Sequence, residues 1–254
     1  MKYILMFIIG TIFGSFYNVV GYRIPKDESI IYPPSHCPKC NHKLKYFELI
    51  PILSYIIQKG KCTNCKKNIG LFYPAFELLT GIIFAISLKI YGLTPNLIIV
   101  ITFISMLIII TISDINYMII PDKVLIFFAA LLLIEIFFIK GLNEAFYSII
   151  NGIISFTIMY IIKLIGDFIF KKESMGGGDI KLMFLIGMIL TYKNSLLTIF
   201  IGSLIGLPIS LITIKKNKNH ILPFGPLLAA GAIIIALTQI NINTLIEIMQ
   251  LRII

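Results

Sequence analysis

Charged residues are scarce in this chain. Asp, Glu, Lys and Arg together make up 13% of its 254 residues, whereas about a quarter of a soluble domain is charged. Hydrophobic residues account for 58% of the sequence, and the mean hydropathy is +0.96. This composition excludes an ordinary soluble domain and predicts a polytopic membrane protein. The apolar runs are expected to be helices, because unpaired backbone groups are too costly in lipid.

The first apolar run lacks the small-residue cleavage site of a signal peptide, since YRIPKD follows it. We therefore expect it to remain as an anchor. A helix needs about 20 apolar residues to cross hydrocarbon about 30 Å thick. We predict an all-α fold with eight spans, the sixth of which is short for a full crossing: 3–22, 72–91, 96–114, 123–140, 145–168, 180–193, 195–214 and 222–240. The predicted regions are a first helix at 1–22, a polar insert at 23–71 and a membrane core at 72–254.

Acidic residues are fewer than basic ones, 12 against 22, which gives a net charge of +10. Nine of the 22 basic residues lie between Arg23 and Lys67, and others flank the run of three glycines or lie in KKNK at 215–218. The positive-inside rule places these loops in the cytoplasm and both termini outside. Nucleic-acid binding is not favoured, because basic and aromatic residues do not alternate and no known reader motif occurs.

Cysteine is also rare, and all four cysteines lie in the insert, as CPKC and CTNC. The spacing C-x2-C-x21-C-x2-C is typical of two zinc knuckles, which present four thiolates to one ion. A reducing cytoplasm disfavours disulfides, and an insert this small needs a staple in place of a large core. We predict a structural zinc site; a redox dithiol and free thiols are the alternatives. The ligands would be Cys37, Cys40, Cys62 and Cys65.

Few carboxylates fall inside the spans, and those that do are functional candidates by default. Asp114 ends the third span and Asp179 begins the sixth, so both are expected at the cytoplasmic boundary. Two carboxylates that lie together cannot both ionise cheaply, so one can activate a water while the other protonates a leaving amine. Gly176–Gly178 would let a substrate backbone approach. The alternative is that Asp179 only caps a helix.

Other charged residues have simpler interpretations. Asp122 is expected to cap the fourth span, and Lys163 and Asp167 have the spacing of a local helix pair. Glu77, about one turn into the second span, either orients a catalytic partner or faces the membrane interface. Glu135 lies within the fourth span without an evident local partner.

Several short stretches occur in a distinctive order and spacing. They are GSFYNVVGYRIP (14–25), SHCPKC (35–40), CTNC (62–65), YPAFELLTG (73–81), Asp114 followed by IPD (120–122), GGGDIKL (176–182) and FGPLLAAG (224–231). Each stretch is weak evidence alone, but together they span nearly the whole chain. In this order they resemble the type IV prepilin peptidases, which are membrane aspartyl proteases of the GxGD kind.

The resemblance implies a protease of the bacterial cytoplasmic membrane whose active site faces the cytoplasm. Such enzymes cut the short basic leader from prepilins and pseudopilins after a glycine. The catalytic aspartates of the family fall on Asp114 and Asp179, and 72–254 corresponds to the protease core. Residues expected at the active-site loop or the substrate are Gly176, Gly177, Gly178, Lys181 and Glu77.

The cysteine-bearing loop is associated in this family with a second activity. Many bacterial members also methylate the new N-terminal amine with S-adenosylmethionine. The resemblance therefore implies a bifunctional enzyme that serves type IV pilus assembly or secretion.

Two other classes of function use aspartates at a membrane face. A Mg²⁺-dependent transferase acting on a polyprenyl phosphate would show clustered aspartates, whereas the cytoplasmic carboxylates here are sparse. A proton-coupled transporter would use Asp114 and Asp179 as a relay and would show inverted repeats with broken helices. The sequence has a single GGG break and no convincing internal repeat.

Overall fold

A computed structural model of the chain describes residues 1–216 and 222–241. Within these residues the only pairing of extended backbone is two isolated bridges in the insert, so the predicted all-α class is confirmed. The side chains of the predicted basic loop at 215–218 lie outside the described part of the chain. The helices are α1 Lys2–Arg23, α2 Leu53–Ile57, α3 Phe72–Tyr91, α4 Pro95–Tyr117, α5 Asp122–Lys140, α6 Leu142–Phe170, α7 Gly177–Lys216 and α8 Gly225–Thr238.

Long apolar helices dominate the fold. Among the described residues, α1, α3, α4, α6 and α7 are long and apolar enough to cross a membrane. Helix α7 is interrupted at Thr191, whose φ of 73° and ψ of 157° are not helical. Its two parts, 177–190 and 192–216, coincide with the predicted sixth and seventh spans. Each of the eight predicted spans therefore falls on a helical segment, and the protein is a multi-pass membrane protein.

The first compact unit, Met1–Leu97, contains α1, the insert and α3. Helices α1 and α3 pack closely because two glycines of α1 face α3. A Cβ added to Gly10 would lie 2.8 Å from the Cα of Gly81, and one added to Gly14 would lie 2.9 Å from the Cα of Glu77. Small residues that let two backbones approach are typical of helix pairs in membranes. The insert between the helices has little regular structure apart from α2.

The second compact unit, Ile98–Ile254, contains most of α4 and all of α5 to α8. Much of α4 is buried, including Phe103, Ile104, Met106 and Leu107, as expected of a helix that is apolar all round. Helix α6 packs against α5 and α7, and α7 packs against α8.

Two acidic residues of the second unit have partners in the structure. The Nζ of Lys163 lies 3.9 Å from Asp167 within α6, which confirms the predicted helix pair. Glu135 of α5 accepts a hydrogen bond of 2.7 Å from the hydroxyl of Thr102 on α4. That partner is 33 residues away in sequence, so no local pattern could reveal it.

Candidate active site and metal centre

Asp114 lies near the end of α4 and is held by the start of α8. Only 5% of its surface is exposed, and its Oδ2 accepts a 3.0 Å hydrogen bond from the backbone N–H of Gly225. A Cβ on residue 225 would lie 2.7 Å from this oxygen. Glycine is therefore needed at position 225, which is why the FGPLLAAG stretch matters for the site. The stretch was part of the resemblance, but no signal in the sequence singled out Gly225.

Asp179 lies in the first turn of α7, which begins at Gly177. It is therefore inside the helix and is not its N-cap. The residue is 7% exposed, and its carboxylate interacts with the backbone N–H of Gly176. Its Oδ1 is buried and has no hydrogen-bond partner among the described residues. An unsatisfied buried oxygen is costly, and it leaves Asp179 with an acceptor available to a ligand.

The two aspartates lie close enough for the charge of Asp114 to act on Asp179. Ile120 packs against Gly178, which precedes Asp179, and against Gly225, which bonds to Asp114. A Cβ added to Gly178 would lie 2.8 Å from the Ile120 Cβ, and one added to Gly225 would lie 3.2 Å from its Cδ1. Three stretches that are far apart in sequence (114–122, 176–182 and 224–231) thus converge on one buried carboxylate pair.

The glycines before Asp179 differ from one another in their surroundings. A Cβ on Gly178 would overlap Ile120, whereas one on Gly177 would have no atom within 4 Å. Close backbone approach is therefore a property of Gly178 within this run. Gly177 lies at open space.

Lys181 makes an ion pair beside the site. Its Nζ lies 2.7 Å and 2.8 Å from the two carboxylate oxygens of Asp122, and both side chains are largely exposed. The expectation that Asp122 caps the fourth span is wrong. The N-cap of α5 is Pro121, and Asp122 is the first helical residue, with no side-chain cap. Its charge still suits a helix N-terminus, and its partner is Lys181.

Glu77 is buried in the first unit. Its Oε2 accepts a 2.8 Å hydrogen bond from the N–H of Ile52, and the side chain of Ser15 also bonds to it. The alternative in which Glu77 faces the membrane interface is therefore wrong. Its carboxylate joins α3 to α1 and to the insert.

The four cysteines form two matched turns. In the first, the N–H of Cys37 bonds to the carbonyl of His42, and the N–H of Asn41 bonds back to Cys37. The second repeats this pattern with Cys62, Lys67 and Lys66. Asn41 and Lys66 both have positive φ, at 55° and 57°, which closes each turn tightly enough to bring its two thiols together.

The thiol sulfurs of Cys37, Cys40, Cys62 and Cys65 all lie within 4.8 Å of one another. The N–H of His42 points at the Cys40 sulfur and lowers the pKa of that thiol to about 7. Cys65 receives the N–H of Lys67, but burial and the neighbouring thiols raise its pKa to about 11. Such a cluster shares its protons. Four converging sulfurs, with backbone N–H groups aimed at them, fit a tetrahedral metal site.

Glu48 joins the two cysteine turns. Its side chain is 1% exposed; it accepts a 2.6 Å hydrogen bond from the N–H of Lys45 and another from the hydroxyl of Thr63. Burial disfavours its charged form, but the hydrogen bonds from these donors outweigh that effect and lower the pKa of Glu48. Glu48 stands at the Glu position of a capping box, but Lys45 occupies the place where the sequence signature needs Ser, Thr, Asp or Asn, so the sequence did not single out Glu48.

Two family models match the chain, one after the other. The bacterial peptidase A24 N-terminal domain matches residues 8–91, and the type IV leader peptidase family matches residues 101–211. The first range contains the four cysteines and Glu77. The second contains Asp114 and Asp179. No solved structure matches the chain.

Curated relatives are similar over most of this chain. One is the prepilin leader peptidase/N-methyltransferase of Bacillus subtilis, 39% identical over 91% of this chain and 92% of the relative. Proteins of the same name from Myxococcus xanthus and Neisseria gonorrhoeae are 31% and 30% identical, over 82% and 90% of this chain and 62% and 87% of the relatives. With the carboxylate pair and the four-cysteine cluster in the matched ranges, this chain belongs to the type IV leader peptidase family.

Proposed function

We propose that this protein is the prepilin leader peptidase of a bacterial cytoplasmic membrane, with Asp114 and Asp179 as its catalytic pair. The observation that carries the proposal is the buried pair of carboxylates from α4 and α7, one oxygen of which has no partner among the described residues. The relatives' names supply the substrate class.

In the proposed mechanism the two carboxylates share one proton. The ionised member removes a proton from a water, the resulting hydroxide attacks the scissile carbonyl, and the neutral member protonates the leaving amine. The N–H of Gly225 holds the Oδ2 of Asp114, whereas the Oδ1 of Asp179 has no partner among the described residues and is left for water or peptide. The open space at Gly177 would admit an extended substrate segment.

The proposed cleavage site lies at the cytoplasmic membrane face. A prepilin has a basic leader in the cytoplasm and an apolar helix in the bilayer, so its scissile bond, after a glycine, lies at that boundary. The basic loops support the same orientation. In this arrangement 1–22 is an anchor, 23–71 a cytoplasmic insert and 72–254 the protease core.

The proposed metal is Zn²⁺, bound by the four cysteine thiolates, and its contribution would be to the folding of the insert. We further propose methylation of the new N-terminus with S-adenosylmethionine as donor, in line with the relatives' names. No residue of this chain is assigned a step in methyl transfer.

The rival functions are less well supported. A Mg²⁺-dependent transferase needs grouped acidic ligands. Within the described residues, the one group of His, Cys, Asp or Glu that is tight enough to hold a metal is the four cysteines. Cleavage that requires Mg²⁺ or a proton gradient would return the transferase and the transporter to consideration.

Cleavage of a purified prepilin in proteoliposomes tests the proposal. Asp114→Asn and Asp179→Asn should each reduce the rate at least about a thousandfold, since an acid–base group contributes about 10² to 10⁴, with unchanged thermal unfolding. Glu144→Gln, an exposed carboxylate of α6, is the matched control and should cleave normally. If Asp179→Asn cuts like the wild type, Asp179 is only a helix residue and the catalytic pair lies elsewhere.

A further inference from the structure

Helix α7 breaks inside the membrane-spanning part of the chain. Thr191 has a φ of 73°, a region that β-branched residues rarely adopt. At about 1.5 Å per residue, 177–190 is about 21 Å long, which is shorter than the hydrocarbon thickness of about 30 Å. A break at this depth requires protein partners for the backbone groups that it frees.

Helix α6 provides those partners. In a continuous helix the N–H of Tyr192 would bond to the carbonyl of Met188, but the torsions of Thr191 turn the two apart. The freed N–H and the freed carbonyl each form a hydrogen bond with a side chain of α6. The Oδ1 of Asn151 accepts from the Tyr192 N–H at 3.2 Å, and the hydroxyl of Ser148 donates to the Met188 carbonyl at 2.9 Å.

A third residue of α6, Ser155, completes the contact. Its Oγ lies 2.8 Å from the Oγ of Ser195, and it also packs against Gly187, where a Cβ would overlap it. In a continuous helix, residues 187 and 195 would be about 12 Å apart. Because Ser155 touches both, the chain turns back sharply at Thr191.

Ser148, Asn151 and Ser155 lie on one face of α6, at the spacing i, i+3, i+7, and we call them the polar bracket. Helix α6 also holds the other end of the short helix. Just before α7, Ser174 donates from its N–H to Asp167 at 2.6 Å and from its hydroxyl at 2.8 Å. Residues 177–190, with Asp179 among them, are thus held by α6 at the broken end, and the segment that leads into them is held by α6 through Ser174.

We infer that the polar bracket is a positioning element for catalysis, which fixes the depth and rotation of 177–190 and thereby the placement of Asp179 beside Asp114. The inference rests on the proposed peptidase function. Misplacement of a catalytic group by about 1 Å can reduce the rate about a hundredfold, so loss of the bracket should affect the chemical step more than substrate binding.

The test compares Asn151→Leu with Asn151→Asp and Thr157→Val in proteoliposomes. Asp keeps an acceptor for Tyr192. Thr157 is a matched control on α6, because its hydroxyl donates to the Ile153 carbonyl of its own helix. Asn151→Leu should lower kcat at least about tenfold, leave KM within about twofold and change the shape of the pH–rate profile. Asn151→Asp should keep the wild-type kcat, and Thr157→Val should keep both the wild-type kcat and the wild-type profile.

A folded Asn151→Leu variant with the kcat and pH profile of Thr157→Val would overturn the inference. If Asn151→Leu does not fold, Ser148→Ala replaces it, and the same readouts decide with a smaller expected loss of kcat. Hydrogen exchange separates this inference from the proposed function. If the wild type cleaves no prepilin, the peptidase proposal fails. Faster hydrogen exchange across 177–190 in Asn151→Leu than in the wild type and Thr157→Val would still support the positioning role. Equal exchange rates in all three proteins would reject it.

Discussion

At the scale of single residues, the carboxylates inside the spans differ in what surrounds them. Glu77 and Glu135 each accept a hydrogen bond, from Ile52 and Thr102 respectively, and each joins two parts of the chain. Asp179 differs from them because a second carboxylate acts on it. Two acids that face one another form a pair that is costly to hold ionised together, and that cost makes the pair suited to acid–base chemistry.

Neighbouring glycines give a prediction at this scale. Gly178→Ala should lower the melting temperature in detergent by several degrees, because its Cβ would lie 2.8 Å from that of Ile120. Gly177→Ala meets no atom within 4 Å and should gain about 0.5 to 1 kcal/mol from lower chain entropy. Equal destabilisation by both substitutions would show that Ile120 does not pack against Gly178.

At the scale of elements, the insert consists of two similar turns that have little core. Cys37→Ser should release the metal and make 24–71 sensitive to protease, because a structural Zn²⁺ contributes about 10 kcal/mol or more to the folding of a small domain. Metal content and limited proteolysis measure both effects, with Ser54→Ala in the same insert as control. A compact insert without bound metal would contradict the zinc assignment.

The helices and the cysteine cluster could be predicted from the sequence, whereas the contacts between distant segments could not. Apolar length located the helical spans, and cysteine spacing located the thiol cluster, because both signals are local. The hydrogen bond from Gly225 to Asp114 joins residues 111 positions apart, and the hydrogen bond from Tyr192 to Asn151 joins residues 41 positions apart. Neither contact can be deduced from the helical periodicity of the sequence. The break at Thr191 carries no glycine or proline at that position, so its only sequence signal was the shortness of the sixth span.

At the scale of the whole molecule, the two family models divide the chain much as its compact units do. The first unit carries the cysteines and the second carries the aspartates. The leader of a prepilin is cytoplasmic, so the proposed cleavage requires the carboxylate pair to lie at the cytoplasmic membrane face. This requirement makes membrane orientation a property on which the proposed function depends.

Orientation can be measured with single cysteines in otherwise unchanged protein. Leu93 is 81% exposed in a loop expected outside, and Lys172 is exposed in a loop expected in the cytoplasm. A membrane-impermeant maleimide should label Leu93→Cys in intact cells and Lys172→Cys only after permeabilisation, above the signal of the parent protein. The reverse pattern would place the carboxylate pair on the side away from a cytoplasmic leader, and the peptidase proposal would then lose its substrate even if Asp114 and Asp179 are essential.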